Sequence, residues 1–431
     1  MNKIFLIITL ITISYSQGKM NAYGLGHFYS NQGVRNAMDG IASLTPSSSE
    51  NINFSNPSTW HNFRYTFLSL SYSGSQNSLN DNQNINGYSG LSDALWIIPI
   101  KSKYALGFSL TPYLNQKVSL IGSDSLTYLA FDDTLNVKRM FIRSGGIMSL
   151  NIGASYKINE FFSFGMMAEI LFGSSRQSES INFGGSSITK TIRNRYNGLN
   201  SNSFLSILLP GKTRFFASLK FTIKPLESAY LEKYLFDDVN QSGSHDWTSP
   251  YFDFPYPDSV KTFSENRLGN INDPMSYQIG IDRRIAKTLG MAVEYFYETE
   301  SSSGNPSLYV PTSNQIYKTQ KIKFSFIKYP NQISLKTFDK FSFRTGILQS
   351  NYYLQNSEMQ ITELGFSLGI GYKFKTFGNQ LDCNYYFGHR KYPNMPEKEL
   401  VQQVQVGISL ADIWFVKRRQ NTNIMQKKNG M

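Results

Sequence analysis

From Ile147 to Phe172 the chain alternates apolar and polar residues with period two. Met148, Leu150, Ile152, Ala154, Tyr156 and Ile158 fall on one face, and Ser149, Asn151, Gly153, Ser155 and Lys157 on the other. After Asn159-Glu160 the alternation resumes, with Phe162, Phe164, Met166, Ala168, Ile170 and Phe172 against Ser163, Gly165, Met167 and Glu169. Two strands of about a dozen residues each, joined at a short polar turn, make a hairpin. The second face is small or polar almost throughout and offers no stripe for a helix or another sheet to cover. That suits the wall of a membrane-spanning barrel, apolar toward lipid and polar toward the lumen. A half-buried sheet of a soluble protein shows the same alternation, so the hairpin alone leaves both open.

The same pattern predicts strands near 63–74, 87–100, 103–120, 145–158, 161–174, 190–209, 213–226, 272–285, 289–300, 320–337, 339–354, 358–375, 379–390 and 400–415. Alternate connections between them are short: Lys101-Ser102, Asn159-Glu160, Pro210-Gly211-Lys212, Ala286-Lys287-Thr288, Phe338 and Thr376-Phe377-Gly378. Most of the others are long and hydrophilic, at 75–86, 121–144, 175–189, 227–271, 301–319 and 391–399, with 355–357 the short exception. Loop length that follows strand parity is the asymmetry of outer-membrane barrels, which turn tightly on the periplasmic side. An even count also returns both ends to that side. Closure is required because an open edge in hydrocarbon leaves backbone groups unpaired at several kcal/mol each. The expected fold class is therefore all-β, a transmembrane antiparallel barrel of about fourteen strands.

Outside the strands the chain divides further. Residues 1–16 resemble a secretory signal, with Lys3, the run IFLIITLITI and Ser14-Tyr15-Ser16 before Gln17; a buried N-terminal helix is the alternative. Residues 17–62 lack alternation but carry Tyr23, Leu25, Phe28, Tyr29, Ile52, Phe54 and Trp60, more apolar content than a disordered arm holds. They predict a compact hatch that plugs a barrel of residues 63–415. Residues 416–431 form a basic tail, read as solvated or as contacting anionic headgroups or a periplasmic partner.

Composition moves this picture little and excludes several functions. Aromatic residues make up 15% of the chain, with 27 Tyr and 32 Phe, and barrel girdles give such rings a place. The single Cys383 permits no internal disulfide or cysteine metal cluster, and the four histidines lack metal-ligand spacing. No catalytic motif and no cofactor site stand out, so an enzyme is not expected. The net charge of +12 points to an anionic partner. No nucleic-acid-binding pattern supports it, which leaves outer-membrane lipid and lipopolysaccharide headgroups.

Tyr23-Gly24-Leu25-Gly26, followed by Asn56-Pro57-Ser58 just before the first strand, resembles the long-chain fatty-acid transporter (FadL/TodX) family of outer-membrane proteins. The hairpin from Gly145-Gly146 to Gly173 and the closing ISLADIWFVKRR look like its relatives in Bacteroidota-type diderms. The resemblance implies a fourteen-strand barrel in the outer membrane of a diderm bacterium, plugged by its hatch. It also implies a hydrophobic cargo that leaves sideways beside an inward kink in the third strand. Ser58 replaces the family's Ala at this motif.

The residues themselves offer sites for these roles. Pro112, beside Tyr113 inside the third strand, cannot donate to the ladder, so it marks either a gap in pairing or a strand end above the membrane. Gly24 and Gly26, flanking Leu25, allow a positive φ or a close approach to the wall. Pro57 stiffens the entry into the first strand. Asn56 reaches either wall or ligand, or serves as a purely structural latch. The expected function is passive uptake of a small hydrophobic compound such as a long-chain fatty acid, through a pocket beside Phe54 and Tyr113. The alternative is a non-transporting scaffold for a secretion or surface-attachment system, its lumen filled by side chains.

Overall fold

The computed structural model describes residues 19–28, 43–47, 51–79, 84–121, 126–130, 133–183, 186–236, 266–301, 314–331, 336–355, 359–374, 379–393, 396 and 398–412. The signal segment 1–16, the tail 416–431 and the aromatic pair Trp414-Phe415 lie outside them. One sheet of seventeen strands closes on itself; three are short pieces (His27–Phe28, Val118–Ile121 and Leu126–Ala130), which leaves fourteen in the wall. These are β1 (Thr66–Leu79), β2 (Asn84–Ile100), β3 (Tyr104–Asn115), β4 (Asp133–Lys157), β5 (Phe162–Phe183), β6 (Ser186–Leu209) and β7 (Thr213–Phe236). The circuit continues through β8 (Asn266–Ala286), β9 (Leu289–Ser301), β10 (Ile316–Lys328), β11 (Phe341–Leu354), β12 (Gln360–Lys373), β13 (Gln380–Lys391) and β14 (Lys398–Asp412). All neighbours are antiparallel, and β14 pairs with β1 from Asp412↔Thr66 to Glu399↔Leu79, which removes the last open edge.

The burial pattern is inverted relative to a soluble sheet. Along β12, Leu364, Phe366, Leu368 and Ile370 face outward, with Leu364 62% exposed, whereas Glu363 and Ser367 point inward and are buried. Period two forces this division, since consecutive side chains leave opposite faces of a strand. The outward set is the lipid surface. The inward set is polar and must find partners within the barrel, because a buried polar group without a hydrogen bond costs several kcal/mol. Among the described residues no helix is long and apolar enough to cross a membrane, so the strands do the crossing.

Each of the fourteen expected strands has its counterpart, but several boundaries move. The expected loops at 121–144 and 175–189 are largely strand: β4 begins at Asp133, β5 runs to Phe183, and they stay paired from Lys157↔Ser163 to Val137↔Phe183. The segment 227–271 likewise contributes the ends of β7 and β8, with 237–265 outside the described residues. In these stretches the outward face turns polar, with Ser174 and Arg176 exposed, and the buried inward face carries Arg143, Ser175 and Gln177 as well as Phe141, so alternation fades while backbone pairing continues; the pattern stops before the strand does. The strand expected over 320–337 instead spans Ile316–Lys328, and its turn holds a short 3₁₀ helix at Thr337–Lys340. Pro330, with no N–H to donate, lies beyond that end. The third strand is not continuous over 103–120. It stops at Asn115, and Val118–Ile121 resumes pairing with β4 after Gln116-Lys117.

Candidate functional site

The N-terminal segment packs on the inner face of the wall, and wall glycines shape its seat. Asn56 opens a 3₁₀ helix at Pro57–Asn62 that carries Trp60, 2% exposed, against β3 and β4. A Cβ at Gly107 or Gly153 would come within 2.4 or 2.7 Å of the Trp60 ring, and one at Gly165 within 2.4 Å of the Ser58 nitrogen. Trp60 donates its indole N–H to the Phe54 carbonyl at 3.1 Å, which fixes the ring in that slot. Phe54 stacks on Phe67 at 4.7 Å and contacts Phe63 at 5.7 Å, in a cluster with Leu95 and Ile97. Phe54 therefore serves the docking of the segment and is not part of the lining of the cavity that Tyr113 lines. Pro57 opens the 3₁₀ helix rather than the first strand, which begins only at Thr66.

Among the described residues the side-chain hydrogen bonds of Asn56 stay within the N-terminal segment. Its side-chain oxygen accepts from the Ser58 N–H at 3.0 Å and the Ser58 hydroxyl at 2.7 Å, and its amide donates to the Leu44 carbonyl at 2.9 Å. These bonds lie within the segment, and Asn56 is fully buried.

The attachment that holds residues 43–45 was not singled out in the sequence. Glu294, inward on β9 and 1% exposed, receives a cluster of donors from them. One carboxylate oxygen accepts the Leu44 N–H at 2.9 Å, the Thr45 N–H at 2.7 Å and the Thr45 hydroxyl at 2.6 Å. The other accepts the Ser43 N–H at 2.9 Å, the Ser43 hydroxyl at 2.7 Å and the Gln278 amide at 3.0 Å. The available signal was an acidic side chain on the inward face of a strand, which requires buried partners.

The wall itself is broken beside this segment. β2 and β3 pair only from Ile100↔Tyr104 to Ala94↔Leu110. Beyond Leu110, β3 keeps its pairing with β4, but the register shifts between Pro112 and Leu114. On the side that β2 has left, the short strand His27–Phe28 pairs with Asn115 and Leu114. Gly26, at φ +133, brings its backbone so close that a Cβ would sit 2.4 Å from the Asn115 oxygen; Gly24 also has positive φ, at +55. Gln116 donates to the Leu25 carbonyl at 2.9 Å, and buried Arg143 donates to the carbonyls of Gln116 at 3.1 Å and Asn21 at 2.7 Å. Leu25 packs with Tyr113, Leu114 and Ile147 in one apolar cluster. The structure thus joins Gly24, Leu25, Gly26, Pro112 and Tyr113 in one place and puts Phe54, Asn56 and Pro57 in another.

A lumenal cavity of about 170 Å³ opens beside the break. Its apolar lining includes Leu25, Phe28, Tyr113, Met167 and Phe204, and its charged lining Glu169, Lys220, Glu298, Glu300, Lys321 and Lys323. Phe28 meets Tyr113 edge-on at 5.5 Å, and Lys220 lies 4.8 Å from the Tyr113 ring centre and 3.3 Å from Glu169. Among the described residues no three His, Cys, Asp or Glu side chains group to hold a metal ion.

His61 adds a pH-sensitive contact. Its backbone N–H donates to Ser155 Oγ at 3.2 Å, and its buried Nδ1 has no hydrogen-bond partner. Burial first, then Lys157, push the imidazole down to about 4, against a hydrogen bond with the Ser58 backbone that raises it. A depressed folded value means the seat is fully stable above about 6.5 and is lost as pH falls through about 4. Docking should weaken by up to about tenfold per pH unit inside that window. Hydrogen exchange of residues 57–63 at pH 7 and pH 4.5 checks this, and His61→Gln should remove the dependence.

Together these features define a class: a closed fourteen-strand outer-membrane β-barrel with its N-terminal segment packed against the inner wall. The chain belongs to the BamG family, whose model matches residues 1–421. In fold it is similar to the CymD monoaromatic hydrocarbon channel, at 13% identity and a TM-score of 0.55, covering 91% of this chain and 100% of that one. It is also similar to the toluene transporter TodX of Pseudomonas putida, at 13% identity and a TM-score of 0.53, with the same coverage. No curated protein matches the sequence. At these identities the likeness to solved structures is one of fold.

Proposed function

We propose that the protein is a passive channel that moves small hydrophobic or amphipathic compounds, long-chain fatty acids among them, from the outer side sideways into the membrane. The observation that carries this reading is the parting of β2 from β3 above Leu110, with a cavity lined by Phe28 and Tyr113 at the parting. A wall gap plugged by a short, separately attached strand is a route by which a hydrophobic solute can leave the lumen sideways. Transfer of apolar surface at about 25 cal/mol per Å² would draw such a solute from water toward lipid. CymD, a monoaromatic hydrocarbon channel, and TodX, a toluene transporter, put a similar fold to a use consistent with this one.

The test is uptake of a labelled long-chain fatty acid and of toluene by liposomes carrying the protein, at neutral pH. The reading expects uptake several-fold above protein-free liposomes for at least one of them. Equal uptake would leave the second reading, a scaffold without transport. That reading has its own observation: buried ion pairs fill another part of the lumen, with Arg344 on Asp382 and Arg390 on Glu363 at 2.9 Å and Glu399 at 3.1 Å.

A further inference from the structure

On the outside of the barrel, just past the lipid-facing band, β5 to β8 carry a patch of arginines. Along β5 the outward residues include Phe162, Met166, Ile170 and Phe172, followed by Ser174 and Arg176. At about 3.4 Å per residue and a tilt of about 40°, the rise from Phe162 to Phe172 is about 26 Å, the height of an outer-membrane barrel's apolar band. Arg176 therefore stands at head-group level. It lies on the side away from the tight turns after Lys157 and Leu209, which is the outer leaflet.

The register brings three more arginines to the same place. Arg176 is paired with Arg193 of β6, and Arg195 follows on the same face. Ala229 of β7 pairs with Arg195 on one side and with Arg267 of β8 on the other, so those two lie about 10 Å apart, two strand spacings. All four are exposed, and among the described residues none of their side chains has an ion pair or hydrogen bond. Of the acids on β5 and β7 near them, Glu179 is taken by Arg139 and Glu227 by Lys224. Like charges directly opposite on paired strands repel, so a sheet that sets Arg176 against Arg193 calls for an anion from outside the chain. Guanidinium groups hold phosphate through two parallel hydrogen bonds, and head-group level is where lipid phosphates lie. Below the patch, exposed Ile170, Phe172 and Ile223 offer acyl chains an apolar wall. We infer that the outward face of β5 to β8 binds a phosphorylated glycolipid of the outer leaflet, its phosphates on these arginines and its acyl chains on the wall beneath. The site is on the opposite face of the wall from the lumen and is independent of what the lumen carries.

Native mass spectrometry of the full chain tests it, with four probes: bisphosphorylated lipid A, the same lipid without its phosphates, phosphatidylglycerol and inorganic phosphate. The bisphosphorylated lipid should bind at least about tenfold more tightly than the other two lipids, and inorganic phosphate should not displace it. Arg176→Gln with Arg193→Gln should weaken its binding at least about tenfold. Lys391→Gln with Lys398→Gln removes the same charge from an exposed pair on β13 and β14 and should leave binding unchanged. Heat-modifiable gel mobility confirms that both variant barrels are folded. Equal binding of the phosphate-free lipid or of phosphatidylglycerol overturns the inference, as does displacement by inorganic phosphate. So does undiminished binding in the arginine variant, or an equal loss in the lysine variant.

Discussion

Replacing Glu294 by alanine should free the N-terminal segment from the wall while leaving the barrel closed. The carboxylate gathers backbone and hydroxyl donors of Ser43, Leu44 and Thr45, with Gln278 as a further donor from β8. Removing it leaves those N–H groups buried without an acceptor, and breaking a buried charged contact of this kind costs about 3–5 kcal/mol. The strands β8, β9 and β10 keep their ladders, because the side chain points inward and takes no part in backbone pairing. Hydrogen exchange of the Leu44 and Thr45 amides should accelerate by at least about a hundredfold, and planar-bilayer recordings should show conductance steps absent from the native protein. Glu294→Gln, which keeps one carbonyl acceptor, should lie between the two. Unchanged protection at Leu44 and Thr45 would mean that other contacts hold the segment.

The second large effect is expected at Gly153. A leucine there would drive a side chain into the Trp60 ring, whose atoms lie 2.7 Å from the ideal Cβ position. The ring cannot retreat easily, because its indole N–H is tied to the Phe54 carbonyl and the wall strand behind Gly153 is paired on both sides. Overpacking typically costs about 1–3 kcal/mol, and displacing a buried tryptophan about 3–5 kcal/mol. The 3₁₀ helix Pro57–Asn62 should therefore undock, seen as lost amide protection over residues 57–63. Trp60→Ala in the same chain should restore part of that protection by clearing the slot. If Gly153→Leu alone leaves protection intact, the seat is wider than the packing implies.

The wall was legible in the sequence because lipid outside and a polar lumen inside impose period two on every spanning strand. Leu364 to Ile370 on β12 show it without a single exception. The signal failed where both faces are largely polar, one of them buried on Arg143 and Gln177, so the far ends of β4 and β5 read as loops although their backbones remain paired. Pro112 pointed to the break because a missing N–H is visible in one letter; that β2, and not β4, parts from β3 there depends on pairing partners, which sequence does not display. Gly24 and Gly26 were legible for a similar reason. For Asn56 the structure follows the structural-latch alternative, and Phe54 packs away from Tyr113; an aromatic ring or an amide in an irregular segment serves a ligand and a local seat equally well in sequence. Glu294 and Arg143 were missed because partners such as Leu44 and Asn21 lie more than a hundred residues away.

The lateral route is the central claim, and a reversible lock on the break tests it most directly. Phe28 and Leu114 are paired across the short strand and β3, so Phe28→Cys with Leu114→Cys, in a Cys383→Ser background, can be joined by oxidation. Liposome uptake of the solute that the native protein carries would then be measured before oxidation, after it, and after reduction. A sideways exit predicts uptake that falls to the protein-free level when the disulfide forms and returns when it is reduced. Uptake that is indifferent to the lock would contradict it.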